Sequence, residues 1–104
     1  MKKLRMLFHN YFVYIMTNKH KKVLYIGVTN NLRRRVFENE PGILGGFTKK
    51  YSCHYLIFYE HFTNINYALR REKEIKKSRR EKKNNLVSEF NPEWKFLNME
   101  IESI

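Results

Sequence analysis

From Tyr11 onward, short apolar runs alternate with polar interruptions, and their lengths define the elements of the chain. The runs YFVYIM (11–16) and VLYIGV (23–28) are rich in β-branched and aromatic residues. Separated by the polar stretch TNKHKK, they read as the strands of a β-hairpin, because alternate side chains can be buried while the turn stays in water. The turn suggests a register with Thr17 opposite Lys22, which sets Tyr14 opposite Tyr25 on one face. Gly27, two residues further on, weakens pairing and marks a place where another backbone or a ligand comes close.

A helix is expected from about Asn31 to Asn39, capped by Thr29 or Asn30 and stopped before Pro41-Gly42. At helical spacing Leu32, Arg35, Val36 and Asn39 share its sheet-facing side, whereas Arg33, Arg34, Phe37 and Glu38 lie elsewhere. An arginine on such a face either snorkels out, pairs with a carboxylate at the core edge, or serves chemistry; beside two tyrosines the third reading is preferred. PGILGGFTKK (41–50) holds three of the four glycines and reads as a mobile loop, with Lys49 and Lys50 at its end as candidates for phosphate contact.

A third strand is expected between Tyr51 and Phe62, around YLIFYE. Thr63 or Asn64 then caps a long helix from about Asn66 through Lys83, whose early turns bury Ile65, Ala68, Leu69 and Ile75. Glu72 projects into the middle of that apolar stripe. An unpaired ionised carboxylate is so costly to bury that Glu72 needs a partner, either an arginine such as Arg35 or a divalent metal ion. The later turns are basic on every side and are expected to project as a positively charged rod, with Lys76, Arg79 and Arg80 as phosphate contacts. Beyond it, Pro92 begins a turn, Trp94 folds back on the core, and Glu89, Glu93, Glu100 and Glu102 make the end acidic. The fold class is therefore α/β in the α+β sense: a small three-stranded antiparallel sheet flanked by helices in the order β-β-α-β-α. It forms one domain over residues 11–100, between tails at 1–10 and 101–104.

Composition narrows the function. A chain of 104 residues forms one domain, so chemistry and recognition share one surface. A net charge of +11 favours a polyanionic partner, nucleic acid first, because lysines and arginines that neutralise phosphates release condensed counterions. A membrane surface is disfavoured, since the most basic segment has no bulky apolar face opposite its charges, and no run approaches a membrane span. One cysteine, Cys53, excludes an internal disulfide and a multi-cysteine zinc site, which fits a reducing, cytoplasmic setting.

Phe12-Val13-Tyr14 and Tyr25-Ile26-Gly27, followed by Arg35 on the next helix, resemble the signature of the GIY-YIG nuclease family. YIGVTNNLRRRVFE, FTKKY, the REKEIKK run and NPEW extend the resemblance to small stand-alone bacterial members over Tyr11 to Met99. The resemblance implies a metal-dependent endonuclease acting on DNA, with Tyr14, Tyr25, Arg35 and Glu72 as catalytic residues and Gly27 in support. It also implies one divalent ion, Mg2+ or Mn2+, on Glu72, and an asparagine near the end of the domain, Asn91 or alternatively Asn84. Each residue type supplies something phosphoryl transfer requires: a metal polarises the phosphate, a guanidinium neutralises its oxygens, and a phenol activates water if nearby positive charge lowers its pKa from 10.

Two departures stand out. Phe12 replaces the first glycine of the name motif, and Asn39 stands where many members carry a histidine or tyrosine, so this position offers no titratable proton near neutral pH. Asn39 retains a supporting role as holder of a water or a phosphate oxygen. The rival functions are a nucleic-acid-binding module of the same fold with little catalysis and a small RNA-associated protein, and a protein partner that directs the chain to its site fits either activity.

Overall fold

The computed structural model describes residues 9–40 and 51–103. The segment 41–50, expected as a loop and holding Lys49 and Lys50, lies outside them. Three antiparallel strands, β1 (Tyr11–Thr17), β2 (Leu24–Thr29) and β3 (Tyr55–Phe62), form one sheet in the order β2-β1-β3. β1 is central, and Phe12 through Thr17 are all buried, as a strand covered on both faces requires. β3 starts at Tyr55, where the apolar run YLIFYE begins, and ends at Phe62.

The hairpin register differs from the expected one by two residues. Thr17 faces Leu24, Met16 faces Tyr25 and Tyr14 faces Gly27. The cause lies in the turn: the Asn18 side chain accepts hydrogen bonds from the Lys22 and Val23 backbone N–H groups at 2.8 and 3.2 Å, and the Thr17 hydroxyl donates to the Val23 carbonyl at 2.8 Å. Those bonds keep Lys22 and Val23 in the turn. Because side chains alternate with period two, a slip of two residues leaves every side chain on its expected face.

Helices cover both faces. α1 (Leu32–Glu38) is capped by Asn31, one residue later than expected, whose side chain accepts from the Arg34 N–H. It packs Leu32 and Val36 on the face that carries Phe12, Tyr14 and Met16, where Cys53, Leu56, Leu97 and Ile101 complete a core cluster. α2 (Ile65–Lys77), capped by the Asn64 side chain, packs Ala68 and Ile75 on the opposite face with Val13, Ile15, Ile26, Ile57, Phe58 and Val87. Ile65 and Leu69, expected inside, are 39% and 40% exposed.

The long basic helix is two helices. α2 stops at Lys77, Ser78 and Arg79 are extended, and α3 runs Arg80–Phe90. The Ser78 hydroxyl donates to the Ile75 carbonyl at 2.6 Å, and Lys83 Nζ donates to the Lys76 and Ser78 carbonyls at 3.3 and 2.9 Å, so the freed helix end is satisfied. Folding back carries Val87 into the core, fully buried, a gain of roughly 1.5–3 kcal/mol that a projecting rod would forgo. The C-terminal segment is pinned beside β3, with the Leu97 N–H donating to the Leu56 carbonyl at 2.7 Å and the Leu56 N–H donating to Asn98 Oδ1 at 2.9 Å. Where the sequence suggests a tail from residue 101, a 3-10 turn over Glu100–Ser103 buries Ile101. Among the described residues, no helix is long and apolar enough to cross a membrane.

Candidate active site

Tyr14 and Tyr25 share the α1 side of the sheet as diagonal neighbours, their rings 6.3 Å apart and tilted by 40°. Gly27 sits directly across from Tyr14. A Cβ at Gly27 would come within 2.4 Å of the Tyr14 hydroxyl oxygen and 2.5 Å of the ring carbon that bears it. The close approach expected at this glycine is made by the Tyr14 phenol itself. Only a residue without a side chain lets that ring lie across β2.

Arg35 comes from the middle of α1, and its guanidinium lies within hydrogen-bonding reach of the Tyr14 phenol, as does the Tyr25 hydroxyl. Tyr14 is 1% exposed, and burial together with the Tyr25 phenol pushes its pKa up to about 12 against the opposing pull of Arg35. In the free protein Tyr14 therefore keeps its proton at neutral pH, contrary to the lowered pKa a phenolic base would need. Arg35 borders a recess of about 290 Å³ at the end of the sheet, shared with Thr29, Asn30 and Arg34 on one side and Tyr11 and Ile65 on the other.

The acid beside Arg35 is Glu38 rather than Glu72. Glu38 Oε1 lies 3.3 Å from Arg35 Nε and Oε2 lies 3.7 Å from Arg34 Nε. The Arg35 contact is one of charge and not a hydrogen bond, since the buried Arg35 Nε has no acceptor aligned with its proton. Sequence reasoning left Glu38 out. Its signal was the i, i+3 spacing from Arg35 and the i, i+4 spacing from Arg34.

Glu72 stands on α2, the helix that covers the face of the sheet opposite the phenols. Its side chain is 16% exposed and lies 3.5 Å from Lys76 Nζ, an i, i+4 pair whose lysine is half in solvent. Lys76 is thus paired in the free protein, and because its ammonium lies half in solvent the pair is exchangeable. Among the described residues no three His, Cys, Asp or Glu side chains gather as a metal cage. One carboxylate with an exchangeable partner fits a hydrated Mg2+ or Mn2+ that arrives with a phosphate, since Mg2+ keeps several waters and takes few protein ligands.

Three of the expected site residues have partners within the fold. Asn39 is 7% exposed and its side-chain amide donates to the Met16 sulfur at 3.0 Å, while its backbone carbonyl bonds His54 Nδ1, so it packs the C-terminal end of α1 into the core. Asn91 is a bracket: its amide donates to the Ile57 and Lys95 carbonyls at 3.1 and 2.8 Å and its oxygen accepts from the Lys95 N–H. Its alternative, Asn84, accepts from Arg80 Nε at 2.9 Å. Arg80 spends its guanidinium on the Lys22 and Lys21 carbonyls, 2.8 and 3.1 Å away, which ties α3 to the hairpin turn. Arg33, Arg34 and Arg79 remain on the surface.

This sheet, with paired phenols and an arginine on one face, is that of a nuclease-type domain, and a profile of the GIY-YIG catalytic domain matches residues 10–85. The chain belongs to the GIY-YIG family. Its relatives are small UPF0213 proteins: one from Natronomonas pharaonis is 34% identical over 80 residues, covering 77% of this chain and 93% of that protein. Another, from Haloquadratum walsbyi, is 37% identical over 79 residues, covering 76% and 88%. The solution NMR structure of a UPF0213 protein from Bacillus halodurans superposes with a TM-score of 0.50 at 32% identity, over 76% of this chain and 83% of that one. The family generally acts on nucleic acid with a divalent metal ion.

Proposed function

We propose that this protein is a metal-dependent endonuclease that hydrolyses DNA phosphodiester bonds on the Tyr14–Tyr25–Arg35 face of the sheet. The observation that carries the reading is the meeting of the Tyr25 phenol and the Arg35 guanidinium at the Tyr14 phenol, which lies across a glycine that must be side-chain-free for Tyr14 to lie where it does. Arg35 neutralises charge building on the phosphate oxygens. Tyr14, holding its proton, donates a hydrogen bond to a phosphate oxygen and sets its orientation. Tyr25, half-buried and open to solvent, orders the attacking water. Glu72 would be the residue to hold a Mg2+ or Mn2+ ion, which when bound would supply Lewis-acid polarisation of a phosphate and stabilise charge on a leaving oxygen.

Arg33 and Arg34 on α1, and Lys76 and Arg79 at the α2–α3 corner, are the proposed backbone contacts, joined by Lys49 and Lys50. One small surface serving both cutting and recognition favours structure-selective or weakly specific cleavage in the cytoplasm, with a protein partner supplying any further targeting. A second reading, a binding module with little catalysis, draws on Asn39, which is packed into the core at a position where many members carry a titratable side chain. Plasmid nicking separates the two. Purified protein should nick DNA with Mg2+ or Mn2+ and not with EDTA, and Tyr25→Phe and Glu72→Ala should each abolish nicking while leaving binding within about twofold. Tight binding without metal-dependent nicking by the wild type would establish the module instead.

A further inference from the structure

We propose that Glu38 is a positioning residue for Arg35, a counter-ion whose two oxygens hold the adjacent guanidiniums of Arg34 and Arg35 and keep Arg35 turned against the Tyr14 phenol. This inference rests on the endonuclease reading for its catalytic consequence and on the structure alone for its geometry.

Arg35 is an arginine whose Nε is buried and lacks an aligned acceptor, an arrangement that costs free energy unless something nearby offsets the charge. Glu38 is the group that does so, with Oε1 at 3.3 Å from that nitrogen, and its own side chain is only 28% exposed. The second oxygen, 3.7 Å from Arg34 Nε, gives the carboxylate two cations to hold. Arg34 is anchored in turn, donating from Nη2 to Asn30 Oδ1 at 3.2 Å, so the chain of contacts runs from the start of α1 to its last residue. With a carboxylate on its Nε side, Arg35 cannot swing back along α1 and stays beside Tyr14 at the mouth of the recess that Thr29 and Asn30 border.

A negative group next to a phosphate-binding arginine would be selected against if it only repelled substrate, because a like charge at this distance weakens phosphate binding. A positioning role reconciles the two facts. Glu38 costs some ground-state affinity and holds the guanidinium where charge develops in the transition state, which raises kcat.

The test is Glu38→Gln, which keeps the shape and removes the charge. Two readouts are taken. In the protein alone, without DNA or metal, NMR follows exchange of the Arg35 Nε–H proton with water: tenfold or faster exchange in Glu38→Gln is expected, as the guanidinium leaves its buried place, and an unchanged rate overturns the proposal. In cleavage, kcat should fall about tenfold while KM stays level or drops; an unchanged kcat, with KM level or lowered by loss of the negative charge, marks Glu38 as a mere surface charge and overturns it. Should the wild type cut nothing, the endonuclease reading fails while the exchange measurement still decides whether Glu38 holds Arg35. Glu40→Gln, an exposed acid two residues further on, is the control, and equal effects from it count against Glu38.

Discussion

The two faces of the sheet are built from different materials. Behind α2 and α3 the core cluster is aliphatic and aromatic, with Val13, Ile15, Ile26, Ile57, Phe58, Ala68, Ile75 and Val87, and the buried Thr17 and Asn91 spend their side chains on backbone carbonyls. Behind α1 the core mixes apolar side chains with a buried phenol, a buried asparagine amide on a methionine sulfur, and a guanidinium nitrogen without an aligned acceptor. Buried polar groups cost stability unless fully paired, so the incompletely paired guanidinium nitrogen on the face of the proposed site depends on stability supplied by the opposite face. Charge follows the same division. Arg80 and Lys83 on the α3 side cap backbone carbonyls and Arg71 binds Glu60 and Glu74, whereas on α1 Arg33 faces solvent and the half-exposed Arg34 is held by Asn30 and Glu38.

The largest effect expected is on catalysis with little change in fold. Gly27→Ala should drive the Tyr14 ring from its place and lower cleavage a hundredfold or more, at a stability cost of about 1–3 kcal/mol. Cleavage near wild-type rates, measured alongside chemical denaturation, would break the division between the faces. Ile75→Ala on the other face should do the reverse, costing about 2–5 kcal/mol while the folded fraction cleaves normally.

The third expectation is a pH dependence. The unfolded chain ionises Tyr14 at about pH 10 and the folded chain only at about 12, so the stabilising difference is intact below pH 10 and is lost as pH rises toward 12. Thermal melts should show on the order of 2–3 kcal/mol lost across that window in the wild type, and a smaller loss in Tyr14→Phe. The smallest effect separates the arginines: Arg80→Ala should cost about 1–2 kcal/mol of stability through its two lost carbonyl partners. Arg33→Ala should leave stability unchanged and lower the salt dependence of DNA binding by about one phosphate contact. Denaturation and binding over a salt series measure both.

How far the sequence foretold this division can be read from particular residues. The faces of Tyr14 and Tyr25 were legible because side-chain alternation survives a register slip of two, whereas the slip itself arose from the Asn18 side chain, which hydropathy does not register. The break at Ser78–Arg79 has no proline or glycine to announce it and follows from the need of Val87 to reach the sheet. Ile65 and Leu69 satisfy helical periodicity yet lie partly exposed, since periodicity fixes a stripe and not how far the sheet extends beneath it. Glu72 stood out by the same periodicity, but its partner proved to be Lys76, and the acid beside Arg35 came from one turn away on its own helix.

The central claim is that the phenols on the α1 face perform the chemistry. Single-turnover cleavage of a DNA duplex by Tyr14→Phe/Tyr25→Phe, measured with its binding affinity in saturating Mg2+, tests it most directly. Cleavage lost by about a hundredfold or more with affinity within about twofold of wild type is the predicted result. Cleavage at the wild-type rate by the doubly substituted protein would contradict it.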